Sequence, residues 1–140
     1  FSIDSRKRIN IPAPIRKQFL TKDKKTFVVT RGIDRCAWIY PMSEWNLIQK
    51  ELNQLSSLSK TNRIFLRNHL RHANILKFDS QGRFVLPQSL IDYTSIRKDV
   101  TIIGVLNKIE IWNPNLLRKI DQSEEIDDQS YEQLSERVNI

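Results

Sequence analysis

Aspartate and arginine recur at one spacing in two distant parts of the chain. Asp4 precedes Arg8 by four positions, and Asp79 precedes Arg83 by the same interval. Two carboxylates could form a catalytic acid–base pair, but a cation four residues further on favours a low pKa for each and argues against proton transfer. Each arginine could instead pair with its aspartate across a turn, or present its guanidinium group to an anionic partner. The pattern therefore predicts two cationic turns, and an enzyme is not expected.

The two motifs belong to a segment that the chain contains twice. A shift of 75 positions carries residues 4–12 onto residues 79–87. Alternating apolar residues lead into and out of each turn, which is the period of half-buried strands. Pro12 and Pro87 then end the outgoing strand and open a short helical turn. Each copy is therefore predicted to hold its arginine on a rigid, exposed tip between two strands.

A β-hairpin and helical segments follow each copy. Strands are predicted over 26–31, 36–40, 100–103 and 109–112, and the Lys-rich link 21–25 is predicted to be a solvated loop. Helices are predicted from an N-cap at Ser43, over 61–72, and over 115–138. We therefore predict one α+β domain over 1–140 made of two repeats, namely 1–42 with helices in 43–73, and 75–114 with a C-terminal helix over 115–138.

Charge is distributed unevenly along the chain. The net charge is +7, but residues 1–114 contain 20 Lys and Arg against 9 Asp and Glu, whereas residues 115–140 contain 3 against 7. A basic body with an acidic end predicts a polyanionic partner for the body. The single Cys36 cannot form an intrachain disulfide, which favours a reducing compartment. No apolar run reaches membrane-spanning length, so no membrane association is expected.

Two helical patterns could carry chemistry but have simpler interpretations. His69 and His72 have a spacing that metal ligands can adopt, yet no third ligand is evident, so we interpret them as surface histidines. Arg63, Arg67 and Arg71 recur every four residues, which is typical of a solvated helix face, with a phosphate or subunit contact as the alternative. Glycine-rich phosphate loops, paired cysteines and nucleophile elbows are absent from the sequence. No cofactor, metal or small-molecule substrate is therefore expected.

The doubled Asp-x-x-x-Arg motif, followed each time by three residues and a proline, resembles the MraZ family of bacterial transcriptional regulators. Segments 36–41 and 109–112, with Trp45 and Pro114, add to a resemblance that covers almost the whole chain. It implies an AbrB/MazE-like swapped-hairpin β-barrel built from two internal repeats, with peripheral helices. It also implies ring-shaped homo-oligomers in the bacterial cytoplasm and nucleoid. Their partner is double-stranded DNA, at repeated promoter boxes of the division and cell-wall gene cluster.

In that family the two turns face DNA, and the resemblance selects the residues expected to do so here. An arginine on a rigid tip can read a guanine edge through a bidentate hydrogen bond in the major groove, while neighbouring cations contact phosphates. The resemblance selects Asp4, Arg6, Lys7, Arg8, Asp79, Gln81 and Arg83 as DNA-binding residues. Arg16 is added to them as a further cation expected to contact phosphate.

The chain departs from the family pattern at Lys7, where a glycine usually precedes the arginine. The second copy keeps this glycine as Gly82, which suits the fourth position of a type I turn. Because lysine is disfavoured where φ is positive, the first turn is predicted to differ in shape from the second. Lys7 also adds charge, so the first turn is predicted to hold phosphate more strongly and the second to rely more on geometry.

Two other classes of function stay open from the sequence. An oligomeric antitoxin-like barrel would have a protein as its main partner, and its binding would be insensitive to salt. A non-specific nucleic-acid binder would bind unrelated duplex as well as the repeats. The turns lack nearby exposed aromatic residues on which bases could stack, which argues against the second alternative.

Overall fold

The structure is a computed structural model that describes residues 1–20 and 26–138. Its mixed strands and helices confirm the predicted α+β class. The strands are β1 (Arg8–Asn10), β2 (Thr26–Arg31), β3 (Ala37–Pro41), β4 (Asn74–Lys77), β5 (Arg83–Val85), β6 (Thr101–Val105) and β7 (Lys108–Trp112). The helices are α1 (Ala13–Leu20), α2 (Met42–Leu52), α3 (Lys60–Arg71), α4 (Gln88–Thr94), α5 (Pro114–Ser123) and α6 (Asp128–Val138). The loop predicted at 21–25 lies outside the described residues.

The two repeats exchange strands. A five-stranded antiparallel sheet has the order β4-β2-β3-β7-β6, and β1 pairs with β5 in a second, two-stranded sheet. Strand β4 leads into the second turn but pairs with β2 of the first repeat. The start of the chain leads into the first turn but meets the second repeat, where the Ile3 N–H donates to the Lys98 carbonyl at 2.8 Å. Each turn is therefore anchored by strands of both repeats.

The closed barrel expected from the resemblance is not what the described residues form. The five-stranded sheet is open, with β4 and β6 as its edge strands. Strands β1 and β5 have three residues each and form a ladder with each other, and within the described chain β1 has one further isolated bridge, between Ile9 and Ile3. They consequently cover one face of the larger sheet and do not continue its ladder of hydrogen bonds.

The main core lies between the two sheets. Ile9, Ile11, Phe84 and Leu86 point inwards from β1, β5 and the residues that follow them, and none is more than 3% exposed. They belong to one cluster with Phe27 and other residues of the large sheet. Burial of this apolar surface, at about 25 cal/mol per Å², holds the two-stranded sheet in place.

The helices differ from the sequence predictions in two respects. Helix α2 begins at Met42 with Pro41 at the N-cap position, so the predicted cap Ser43 lies within the first turn. The single helix predicted over 115–138 is instead two helices, α5 and α6. The chain restarts there because the Asp127 carboxylate accepts the Ser130 N–H at 2.7 Å, a side-chain bond of the kind that begins a helix. No helix in the described ranges is long and apolar enough to span a membrane.

The cationic stripe on α3 is not uniform. Arg63 donates through Nη1 to the Ser57 carbonyl at 2.8 Å and to the Leu58 carbonyl at 3.1 Å, so it secures the loop before the helix. Arg67 and Arg71 are exposed, as a solvated face predicts.

His69 is buried, so the prediction of a surface histidine is wrong at this position. Its side chain is 7% exposed and stacks on Phe65 with ring centroids 5.6 Å apart. Trp38 and Trp45 contact it from the other elements of this aromatic cluster. Burial, together with the nearby Arg31 charge, lowers the pKa of His69 because both disfavour the imidazolium form.

The lowered pKa of His69 predicts a loss of stability in mild acid. The unfolded chain binds a proton near the ordinary histidine pKa, about 6.5, whereas the folded chain resists it, so the free energy of unfolding falls as pH drops below that value. We expect the melting temperature to fall more between pH 7.5 and 5.5 in the wild type than in His69→Phe, which retains an aromatic ring in the cluster. The pKa of His72 is also lowered, so a smaller slope will remain in the variant. Parallel pH profiles for the two proteins would contradict the assignment.

Candidate nucleic-acid interface

The first turn is a short hairpin loop organised by Asp4. The Lys7 N–H donates to the Asp4 carbonyl at 3.0 Å, the i to i+3 bond of a β-turn, and the Asp4 N–H donates to the Arg8 carbonyl at 3.0 Å. Asp4 Oδ1 accepts the backbone N–H groups of Arg6 and Arg8, both at 2.9 Å. Lys7 is left-handed with φ of 62°. A β-turn followed by a left-handed residue is a common three-residue hairpin connection.

The second turn repeats this geometry bond for bond. The Gly82 N–H donates to the Asp79 carbonyl at 3.0 Å, and Asp79 Oδ1 accepts the N–H groups of Gln81 and Arg83 at 2.9 Å. Gly82 has φ of 78°, close to the value at Lys7. The prediction that the first turn differs in shape is therefore wrong.

Lys7 keeps its left-handed conformation because the other repeat holds it. The Leu86 N–H donates to the Lys7 carbonyl at 2.9 Å, and the Lys7 ammonium donates to the Gln88 side-chain oxygen. The matching bond at the second turn runs from the Ile11 N–H to the Gly82 carbonyl at 3.4 Å. These bonds offset the cost of a left-handed side-chain-bearing residue, about 1–2 kcal/mol.

Each aspartate also orients its arginine. Arg8 Nε donates to Asp4 Oδ2 at 2.7 Å, and Arg83 Nε donates to Asp79 Oδ2 at 2.9 Å. The pKa of both carboxyl groups is lowered, chiefly because the backbone N–H of the arginine donates to them. Within the described chain the terminal Nη groups make no hydrogen bond to protein, and the arginine side chains are 26% and 27% exposed. The pairing therefore fixes each guanidinium and leaves its outer edge available to a ligand.

The two arginines lie on the same face of the two-stranded sheet. Arg8 is opposite Val85 and Arg83 is opposite Asn10, with the buried pair Ile9 and Phe84 between them. Because side chains alternate across a strand and opposite residues share a face, these four outward residues form one surface. The predicted arginines are thus brought together, on the exposed side of the sheet.

Asn10 and Val85 are members of this surface that the sequence predictions missed. They occupy equivalent positions in the two repeats, and both are exposed, with Val85 at 53%. Their outward placement could have been predicted from the sequence, because both residues alternate with buried apolar residues on their strands. An exposed valine between two arginines is unusual for a solvated face and suits apolar contact with a ligand.

The remaining predicted residues lie at the turn tips. Arg6 and Gln81 are exposed at equivalent positions of the two loops. Arg16 extends from α1 to the second turn, where its Nε donates to the Ile11 carbonyl at 2.8 Å and its guanidinium lies against Gly82. The described residues contain no group of three His, Cys, Asp or Glu side chains that could hold a metal ion. The arginine side chains described above give this surface several fixed hydrogen-bond donors, which suit an extended polyanion.

Comparison with protein families gives two consecutive matches to one model. The model is described as "MraZ protein, putative antitoxin-like", and it matches residues 1–68 and again residues 69–138. The second match begins before the second turn, so each match contains one Asp-x-x-x-Arg turn.

Several curated proteins named "Transcriptional regulator MraZ" are similar to the chain over most of its length. The protein of Natranaerobius thermophilus is 38% identical over 98% of this chain and 91% of its own length. The protein of Clostridium tetani is 37% identical with the same coverage. The protein of Pediococcus pentosaceus is 42% identical over 80% of this chain and 76% of its own length. These names describe regulators, in agreement with the expectation that the chain is not an enzyme.

Proposed function

Because the chain belongs to the MraZ family, whose curated members are named transcriptional regulators, we propose that it regulates transcription by binding specific sequences in duplex DNA. The targets are repeated promoter boxes of the division and cell-wall gene cluster, and the protein acts in the cytoplasm at the nucleoid. The observation that carries this proposal is the common face of Arg8 and Arg83, with both guanidinium groups oriented by aspartate.

The dimensions of the two-stranded sheet support entry into the major groove. This groove is about 12 Å wide and admits a two-stranded ribbon. Lys7 and Gly82 lie at opposite ends of the ribbon, separated by four residue steps, or roughly 14 Å at about 3.4 Å per step. A ribbon laid across the groove would bring its two tips near the phosphates on either rim. Its centre would then face the base edges.

In this orientation some residues contact bases and others contact phosphates. Arg8 and Arg83 donate through their Nη groups to guanine O6 and N7, and each such bidentate contact is worth about 1–3 kcal/mol of discrimination. Val85 meets a thymine methyl group, and Asn10 offers an amide to an adenine edge. Arg6, Lys7, Arg16 and Gln81 meet phosphates and set the register, while Asp4 and Asp79 hold the turns.

Assembly into a ring homo-oligomer completes the proposal. One subunit presents a small ribbon, so tight binding requires several subunits to engage successive boxes, which raises the effective concentration. Helix α6 and the segment just before it support self-association because they leave apolar side chains exposed, and patches of this kind often mark interfaces. The exposed residues are Ile126, Tyr131, Leu134 and Val138.

A competition assay tests the function directly. Full-length protein is bound to a fluorescent duplex carrying the tandem boxes, and unlabelled tandem-box or scrambled duplex is added at about 150 mM salt. We expect the tandem-box competitor to be at least a hundredfold more effective, as specific binding usually exceeds non-specific binding by 10³ or more. Equal competition would support non-specific binding, and absence of a salt-sensitive complex would favour an antitoxin-like protein partner. Native mass measurement with and without the duplex gives the number of subunits.

A further inference from the structure

Arg16 belongs to the first repeat in sequence but to the second turn in space. A Cβ atom built on Gly82 would lie 2.5 Å from Cζ of Arg16 and 2.9 Å from its Nε. The guanidinium therefore occupies the position that a side chain at Gly82 would need, and it buries this glycine at the tip of an otherwise exposed loop. The bond from Arg16 Nε to the Ile11 carbonyl fixes it there, at 2.8 Å.

The first turn has the reciprocal arrangement. Lys7 stands at the position equivalent to Gly82, and its own ammonium reaches Gln88 in α4 of the second repeat. Helices α1 and α4 are the equivalent helices that follow the two turns. Each turn tip thus contacts the first helix of the other repeat, and each contact contains one cation. At the first turn the loop provides the cation, and at the second turn the helix provides it.

The two loops differ in the number of cations that they carry themselves. The first loop carries Arg6 and Lys7, whereas Gln81 and Gly82 leave the second loop without a cation of its own before Arg83. Arg16 compensates for part of this deficit. The ion pairs of the described chain join Arg8 to Asp4 and Arg83 to Asp79 and do not include this guanidinium, so its charge is available to an anion.

We propose that Arg16 is the phosphate-binding cation of the second turn, contributed by the first repeat, and that position 82 is glycine so that this guanidinium can lie on the loop. This inference rests on the proposed DNA-binding function. It assigns a composite site in which neither repeat alone forms a complete second contact with the DNA backbone.

A charge-transfer experiment tests the inference. Arg16→Ala removes the cation, and Arg16→Ala with Gly82→Lys rebuilds the second turn on the pattern of the first, in which Lys7 already adopts a positive φ. We expect Arg16→Ala to weaken tandem-box binding about tenfold at 150 mM salt. The slope of log Kd against log salt should decrease by about 0.9 for each bound subunit. The double variant should recover both affinity and slope.

Three comparisons make the result decisive. Lys17→Ala removes an equal charge from an exposed neighbour and should change affinity less than twofold. Arg16→Gln keeps a hydrogen-bond donor without the charge, so it should lose the same salt slope even if the double variant does not fold. A wild-type slope in Arg16→Gln, or a folded double variant that does not recover, would overturn the inference. Two results separate the levels: undiminished binding in Arg83→Ala would reject the base-reading role of that arginine, whereas absence of any salt-sensitive duplex complex with the wild type would reject the DNA-binding function itself.

Discussion

Replacing both Arg8 and Arg83 with alanine is expected to lower affinity for the tandem-box duplex by a factor of roughly thirty to ten thousand, because each bidentate guanine contact is worth about 1–3 kcal/mol and 1.4 kcal/mol is a factor of ten. Each single variant is expected to lose about five- to a hundredfold by the same reasoning. In an oligomer the loss is repeated at every subunit, so the collapse of binding should be steep. Fluorescence anisotropy with the same duplex measures it.

The expected specificity of this loss follows from the turn geometry. Asp4 holds Arg8 through Nε, so truncation of Arg8 removes the base-reading Nη groups while the two backbone N–H bonds to Asp4 Oδ1 keep the loop intact. The difference between tandem-box and scrambled duplex should therefore shrink, with melting temperature and subunit mass unchanged.

Arg6→Ala is the matched control for these variants. Arg6 is an exposed arginine of the same loop, and in the described chain Asp4 accepts its backbone N–H but forms its ion pair with Arg8. We expect this variant to weaken both duplexes alike and to reduce the salt slope, as loss of a phosphate contact does. If Arg8→Ala behaved like Arg6→Ala, Arg8 would be a phosphate contact and the base reading would belong elsewhere.

The turns were predictable from the sequence because their chemistry is local. Asp79 and Gly82 stand where a β-turn with a left-handed end requires them, and the repeat transfers the prediction to the first copy. Lys7 was mispredicted because the bonds that hold it come from Leu86 and Gln88, about 80 positions away. Conformational propensity includes the cost of a positive φ but not the tertiary contacts that offset this cost.

The features that depend on how the repeats meet were harder to predict. Arg16 was recognised as a cation near DNA, but its position on the second turn follows from strand exchange between the repeats. The open sheet has the same origin, because the pairing of β1 with β5 leaves β4 and β6 as edges. Asn10 and Val85 could have been found, since the alternation that buries their neighbours places them outward with the arginines.

The interface between the repeats also indicates which core residue should contribute most to the free energy of unfolding. Phe27 of β2 is fully buried and contacts two rings, with centroids 4.5 Å from Phe78 and 5.2 Å from Phe84. Phe78 immediately precedes the second turn, and Phe84 lies on β5 beside the buried Ile9. This trio therefore joins the large sheet to the ribbon that carries both arginines.

Phe27→Ala is accordingly expected to lower the free energy of unfolding by about 3–5 kcal/mol, the cost of a large cavity in a packed core. That is a considerable part of the 5–15 kcal/mol typical of a domain, and it corresponds to a fall in melting temperature on the order of 10–20 °C. Ile33→Ala truncates a side chain that is 73% exposed and should change stability by less than about 0.5 kcal/mol. Chemical denaturation of both variants measures the difference. A loss below 1 kcal/mol in Phe27→Ala would mean that the aromatic trio does not hold the ribbon on the sheet. The fixed spacing of Arg8 and Arg83 would then need another source.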